Sequence, residues 1–333
     1  MFKTDCPDPE KPIHIYFAFT DHFEPFTGDA CEKTAIERCQ KWVSEYPKIA
    51  QKYTDTNGKH PKHTFFYPIE QYHKGIIDML AELCKNGFGD IEVHLHHDND
   101  NSENLKKTLV EFKEKLFYDH GLLRKDKSSG KIIYGFIHGN WALDNSRKDG
   151  RWCGVNNEIS ILKQTGCFAD FTLPSAPSDT QTKQINSIYT VVDDIERPKS
   201  HNVGKPLRVG DPNNGDLLLI QGPLMLNWKS RWRKFFPKIE NSEIGCGLPV
   251  TLERIKLWIK AHVHVYGQPN HIFIKVHSHG CVESNGLIDG QLDILYKCFD
   301  EIKHNNKFKL HYITAFEMYT KIMELHRPLM SDN

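Results

Sequence analysis

The run Asp90-Ile-Glu-Val-His-Leu-His-His-Asp-Asn-Asp100 packs three imidazoles and a carboxylate into positions 94–98. That is the donor set an N/O-ligated divalent metal needs. Ile91, Val93 and Leu95 alternate with polar residues, so the run reads as a strand ending at Asp98. On such a strand His94, His96 and Asp98 share one face and His97 takes the other. The plainer alternative is a solvated polar turn. Other apolar runs end in similar chemistry. Asp21, His22 and Glu24 follow the first, His138, Asn140 and Trp141 the fourth, Ser175 the fifth, and His277 and His279 the seventh. A lone histidine at a strand end is commonly a packing residue; the coincidence of several ends carries the weight.

The elements that must position these residues alternate along the chain. Strands are expected over His14–Phe19, His63–Tyr67, Ile91–His97, Ile132–His138, Phe168–Leu173, Leu217–Gln221, His271–His277 and Lys309–Ile313. Helical patterns lie between them over Ala30–Lys52, Glu70–Lys85, Ser102–Tyr118, Asn156–Thr165, Thr251–Tyr266 and Ala315–Leu325. Such alternation implies parallel βαβ units. Seven or eight units without a Gly-rich loop after the first strand favour an α/β fold of the (β/α) barrel kind, in which functional residues gather where strands end. The chain reads as one domain over 1–333, with long rim insertions at about 175–216 and 227–247.

Hydrophobic residues make up 39% of the 333 and charged residues 26%, as in a soluble globular protein. Lys plus Arg and Asp plus Glu are 43 each. No global field therefore attracts nucleic acid or anionic lipid, and the basic run Lys229–Lys234 reads as a solvated face. The start lacks a signal-peptide core and no stretch has the length of an integral membrane segment. Nine scattered cysteines without a CxxC pair point to reduced thiols and a cytoplasmic location. Cys153, Cys167 and Cys246 read as packing residues. Oligomeric state leaves no mark in the sequence.

Separate segments resemble the motifs of the polysaccharide deacetylases, the NodB-homology or carbohydrate-esterase group, over about residues 13–325. Phe19-Thr-Asp-His-Phe23 stands where that family has Thr-Phe-Asp-Asp-Gly, placing Asp21 as general base and His22 as first metal ligand. His94-Leu-His-His-Asp98 stands for its paired histidines, with Asp98 replacing the second. His138-Gly-Asn-Trp141 replaces its Arg-x-Pro strand end, and Ile274-Lys-Val-His277 matches the strand that ends in its acid histidine.

The resemblance implies a metal-dependent hydrolase that removes an N-acetyl group from a carbohydrate of a bacterial surface polysaccharide, such as O-antigen. A divalent ion, zinc by preference, would be held by His22, His94 and Asp98, with His96 as a substitute. It would lower the pKa of a bound water to about 7. Asp21 would deprotonate that water, and His277 or His279 would protonate the leaving amine. Asn140 and His138 are placed toward the substrate, and Trp141, Trp152 and Trp228 are candidates to stack on a sugar ring. Glu24 reads as a second base or a rim ion-pair partner, and Glu158 as a carboxylate on a helix surface or near the barrel end. A glycosidase on the same barrel would need two acids flanking the bond, for which Asp21 with Glu24 or Asp98 qualify. A catalytically inactive glycan-binding barrel is the rival from another class.

Overall fold

The computed structural model describes residues 5–232 and 236–328. Arg233 and Lys234 of the basic run fall outside them, as does the start before Asp5. Thirteen strands are present among the described residues: β1 Ile13–His22, β2 His63–Pro68, β3 Gly89–Leu95, β4 Arg124–Lys125, β5 Ile132–His138, β6 Cys167–Asp170, β7 Ile188–Val191, β8 Lys205–Pro206, β9 Leu217–Ile220, β10 Met225–Trp232, β11 Phe236–Glu240, β12 His271–Ser278 and β13 Phe308–Tyr312. The seven α-helices are α1 Glu32–Ala50, α2 Lys74–Leu83, α3 Ser102–His120, α4 Glu158–Thr165, α5 Leu252–Ala261, α6 Leu292–Lys303 and α7 Ala315–His326. No helix among the described residues is long and apolar enough to cross a membrane.

The fold is mixed α/β around a mostly parallel sheet. Its order is β12-β1-β2-β3-β5-β6-β9, continued by β7 and β8, which run antiparallel to their neighbours. The segment expected as an insertion at 175–216 thus extends the sheet. The one at 227–247 holds most of a separate β10–β11 hairpin. The eighth expected strand, β13, is not a further rung. It pairs with Ile13–Phe17 of β1, while β2 pairs with Phe19–His22 higher on the same strand.

Alternation splits β1 between two cores. Ile15, Phe17, Phe19 and Phe23 pack outward against the helical layer that includes Trp42, Tyr46 and Tyr296. Tyr16 and Ala18 face the other way, into a core with Phe66, Phe171, Phe273 and the Ala315, Met318 and Ile322 stripe of α7. This second face is enclosed because the sheet curls. Phe66 on β2 and Phe171 just past β6 have ring centres 5.7 Å apart, yet three strand spacings in a flat sheet would separate them by about 14 Å. From β12, the Lys275 ammonium donates to the carbonyls of Phe171 and Leu173 across the same interior. Local signals set the helix ends. A Thr314–Glu317 capping box starts α7, Asn101 caps α3, and Gly121 at φ 66° ends it. The helix expected to reach Tyr266 stops at Ala261, because His262 adopts φ 55°.

Candidate functional site

The parallel registers bring the C-terminal ends of β12, β1, β2, β3 and β5 to one edge: Asp21 lies beside Ser278, His22 beside Phe66, Pro68 beside His94, and Leu95 beside His138. Register partners on parallel strands share a face. Thr20 and His277 are partners, so His22, His277 and His94 point into the interior, and Glu24 joins them two residues beyond His22.

His22, Glu24 and His94 form a buried group whose ligand-capable atoms all lie within 4.8 Å of one another. The His22 ring centre is 4.9 Å from those of His94 and His279, 6.1 Å from His277 and 6.3 Å from Trp141. His94 Nδ1 donates to the Ile137 carbonyl at 2.8 Å, which turns Nε2 to a Glu24 carboxylate oxygen at 3.2 Å. A proton on Nε2 or a cation beside it satisfies that pair. The three groups thus fit a divalent cation, and a carbonyl on Nδ1 is the usual orienter of a ligating imidazole.

Burial, reinforced by His94, His279, His277 and Lys275, holds His22 well below the ordinary imidazole pKa, so it is neutral and able to ligate. Burial, Lys275, His279 and Arg254 do the same to His277. Burial alone would raise Glu24. The hydrogen bond and charge of His94, with His279 and His96, outweigh it and keep the carboxyl below its usual range. Burial opposes protonation of His96, but the hydrogen bond and charge of Glu70, then Glu24, raise it. His96 sits between two carboxylates, with Nδ1 2.6 Å from Glu70 and Nε2 3.5 Å from Glu24. Neither ring nitrogen of His277 nor the indole nitrogen of Trp141 has a hydrogen-bond partner among the described residues. Orphaned polar atoms beside such a cluster suit a polar ligand.

Several expected site residues are elsewhere. Asp21, read as the base, faces away from His22 because adjacent strand residues alternate. Its carboxylate is buried in the helical layer, accepting from Gly280 N–H at 2.7 Å and from His63 Nε2–H at 3.0 Å. Asp98, read as a ligand, is exposed and accepts from the Trp152 backbone N–H. Strand β3 ends at Leu95, so the alternation that would have aligned Asp98 with His94 stops three residues short. His138 shares the face of its register partner Leu95, which lies in the helical-side core. There it meets His97, Cys153 and Glu158 instead of a substrate. Asn140 and Trp141 occupy a turn at φ 53° and 55°, and of the two only Trp141 touches the site rings. Trp228 is exposed on β10, along an apolar groove of about 730 Å³ beside α5 that shares no residue with the cluster. Trp152 lies against the guanidinium groups of Arg147 and Arg151. His22, His94, His96, His277 and His279 do converge. Glu24 is the third member of the group, which the motif reading did not count among the ligands, although its i,i+2 spacing from His22 marks it.

No family model matches the chain, and no curated protein matches it. Solved structures with a similar trace include the 4-alpha-glucanotransferase of Thermococcus litoralis, at 13% identity and TM-score 0.44 over 96% of this chain and 41% of that one. Another is a GH57 branching enzyme of Thermococcus kodakaraensis, at 9% and 0.42 over 95% and 72%. A third is an alpha-mannosidase of Enterococcus faecalis V583, at 10% and 0.40 over 96% and 30%. The chain therefore spans less than half of the first and third. The expectation of a polysaccharide deacetylase is corrected here, and with it the amide-hydrolase activity, the zinc and the O-antigen substrate. None of these three proteins is named as a deacetylase, and the motif trio of His22, His94 and Asp98 does not assemble.

Proposed function

We propose that the chain is a glycoside-processing enzyme that cleaves a glycosidic bond at the strand-end edge of a seven-stranded (β/α) barrel, with a divalent cation held by His22, Glu24 and His94. The observation that carries this reading is the row Glu24–His96–Glu70 beside that cluster. Breaking a glycosidic bond takes a proton donor for the leaving oxygen and a carboxylate facing the anomeric centre. His96, raised by its two carboxylates, carries the proton. Glu24 stays ionised.

A cation held by His22, Glu24 and His94 would bind and polarise sugar hydroxyls. The chain's own residues do the rest. The Trp141 ring offers a stacking platform, and its unbonded indole N–H and the neutral His277 imidazole offer hydrogen bonds that orient hydroxyls. A balanced net charge argues for a neutral sugar substrate over a nucleic acid.

The test is release of reducing ends from a panel of α- and β-linked oligosaccharides, with divalent cation present. The expected result is turnover that Glu24→Gln and His96→Asn each reduce by about 100-fold or more. Reducing-sugar release unaffected by Glu24→Gln, or release of acetate alone from N-acetylated sugars, overturns the assignment.

A further inference from the structure

On the helical side of the sheet, directly behind the first cluster, His97, His138, Cys153 and Glu158 bring their ligand-capable atoms within 4.8 Å of one another. They come from four places: the segment after β3, the end of β5, the loop before α4, and the first turn of α4. His96 and His97 follow the end of β3 and serve different groups, His96 meeting Glu24 and Glu70 while His97 meets Asp100 and His138.

The geometry carries the argument. His97 Nδ1 lies 2.9 Å from the Asp100 carboxylate, and His138 Nδ1 lies 2.6 Å from the Gly139 carbonyl. Both partners only accept, so both Nδ1 atoms donate. That turns the two Nε2 atoms toward each other at 2.8 Å, a separation that takes a proton or a cation between them. Glu158 adds its two oxygens at 3.3 Å from His97 Nε2 and 3.5 Å from His138 Nε2. The Cys153 thiol donates to Glu158 Oε2 at 3.5 Å and accepts from the backbone N–H groups of Asn145 and Val155. Two imidazole nitrogens, a carboxylate and a thiol sulfur thus converge on one point. A carboxylate and a backbone carbonyl on the far nitrogens are the outer shell that ligating histidines ordinarily have.

We infer that His97, His138, Cys153 and Glu158 form a second, closed divalent-metal site that takes a borderline-soft transition-metal ion. Two nitrogens, one thiolate sulfur and one carboxylate oxygen make a tetrahedral four-ligand set with no position left for substrate, as in structural sites. The ion ties the segment after β3 and the start of α4 to the turn that follows His138. That turn carries Trp141, so the site holds the aromatic platform over the His22–Glu24–His94 cluster. These four side chains are positioning residues.

The test uses Co2+ on the full chain after chelator treatment, read by absorbance. The first cluster contains no cysteine, so the part of a near-ultraviolet thiolate-to-cobalt charge-transfer band that Cys153→Ser removes reports the second site. The expected result is a band that saturates with one equivalent, disappears in Cys153→Ser, and persists in Glu24→Gln. His97→Gln keeps the thiolate and is expected to need about 10-fold more cobalt, which decides the matter should Cys153→Ser fail to fold by circular dichroism. No thiolate band in the wild type at excess cobalt overturns the inference and leaves a protonated His97 as the bridge. A band unchanged in Cys153→Ser, or in His97→Gln, overturns it as well.

Discussion

Asp21→Ala tests whether the second residue of the Thr-Asp-His motif is chemistry or wall. The carboxylate is fully buried and satisfies two donors, Gly280 N–H at 2.7 Å and His63 Nε2–H at 3.0 Å. Around them are the rings of Phe19, Trp42, Tyr46 and Phe65, all within 5.4 Å of the His63 ring centre. The fit at Gly280 is close: a Cβ there would stand 1.9 Å from an Asp21 oxygen. Truncation strands both donors in apolar surroundings. Each costs about 1–3 kcal/mol. The expected destabilisation is therefore about 2–6 kcal/mol. Urea unfolding followed by tryptophan fluorescence reads it near its origin, because the Trp42 indole donates to the Gly280 carbonyl at 3.0 Å. Asp21→Asn keeps the shape and the oxygen for Gly280, so its cost is smaller, about 1–2 kcal/mol. Neither change touches His22, Glu24 or His94, so cation affinity in the Asn variant stays within about twofold of wild type. Its glycoside turnover persists as well. An Asn variant as stable as wild type but inactive would refute this reasoning and return Asp21 to the role of base.

Acid sensitivity has an identifiable source in His201, buried with neither ring nitrogen bonded among the described residues and pushed by burial, then by Lys199, from 6.5 to about 3. Below pH 6.5 the unfolded chain binds a proton that the native imidazole does not, so stability falls as pH drops from 6.5 toward about 3, by about 1.4 kcal/mol per pH unit. His201→Leu flattens that limb in denaturation curves taken across the window; an unchanged slope assigns the loss to other groups. At Gly139 an added Cβ would lie 2.3 Å from His96 Cδ2 and 2.8 Å from the Leu95 carbonyl oxygen. Gly139→Ala must push His96 out of line with Glu24 and Glu70, with an overpacking cost of about 1–3 kcal/mol. The kinetic signature is a fall in kcat greater than the change in KM. Full activity in this variant would remove His96 from the reaction.

The sequence by itself determined the periodic elements and hence the α/β class. Alternating apolar positions place β1, β2, β3, β5 and β12 to within a few residues, because burial on both faces and closure by Pro or polar residues are local properties. It also determined that chemistry collects at the strand ends, since parallel βαβ units leave those ends to loops. The parity of His22, Glu24, His94 and His96 was legible in the same way; Asp21 is excluded from that face by adjacency alone. What the tertiary structure decided depends on where alternation stops and which strands are neighbours. Strand β3 ends at Leu95, so Asp98 turns out to solvent while His97 turns back toward α4. The β3–β5 register sets His138 beside Leu95 and so on the helical face. Only the folding of the 141–158 loop brings Cys153 and Glu158 to it. A thiol that reads as packing and a carboxylate that reads as helix surface become part of one buried group. Ligand sets assembled from distant segments carry no local sequence signal, because their geometry is fixed by register, curl and loop path.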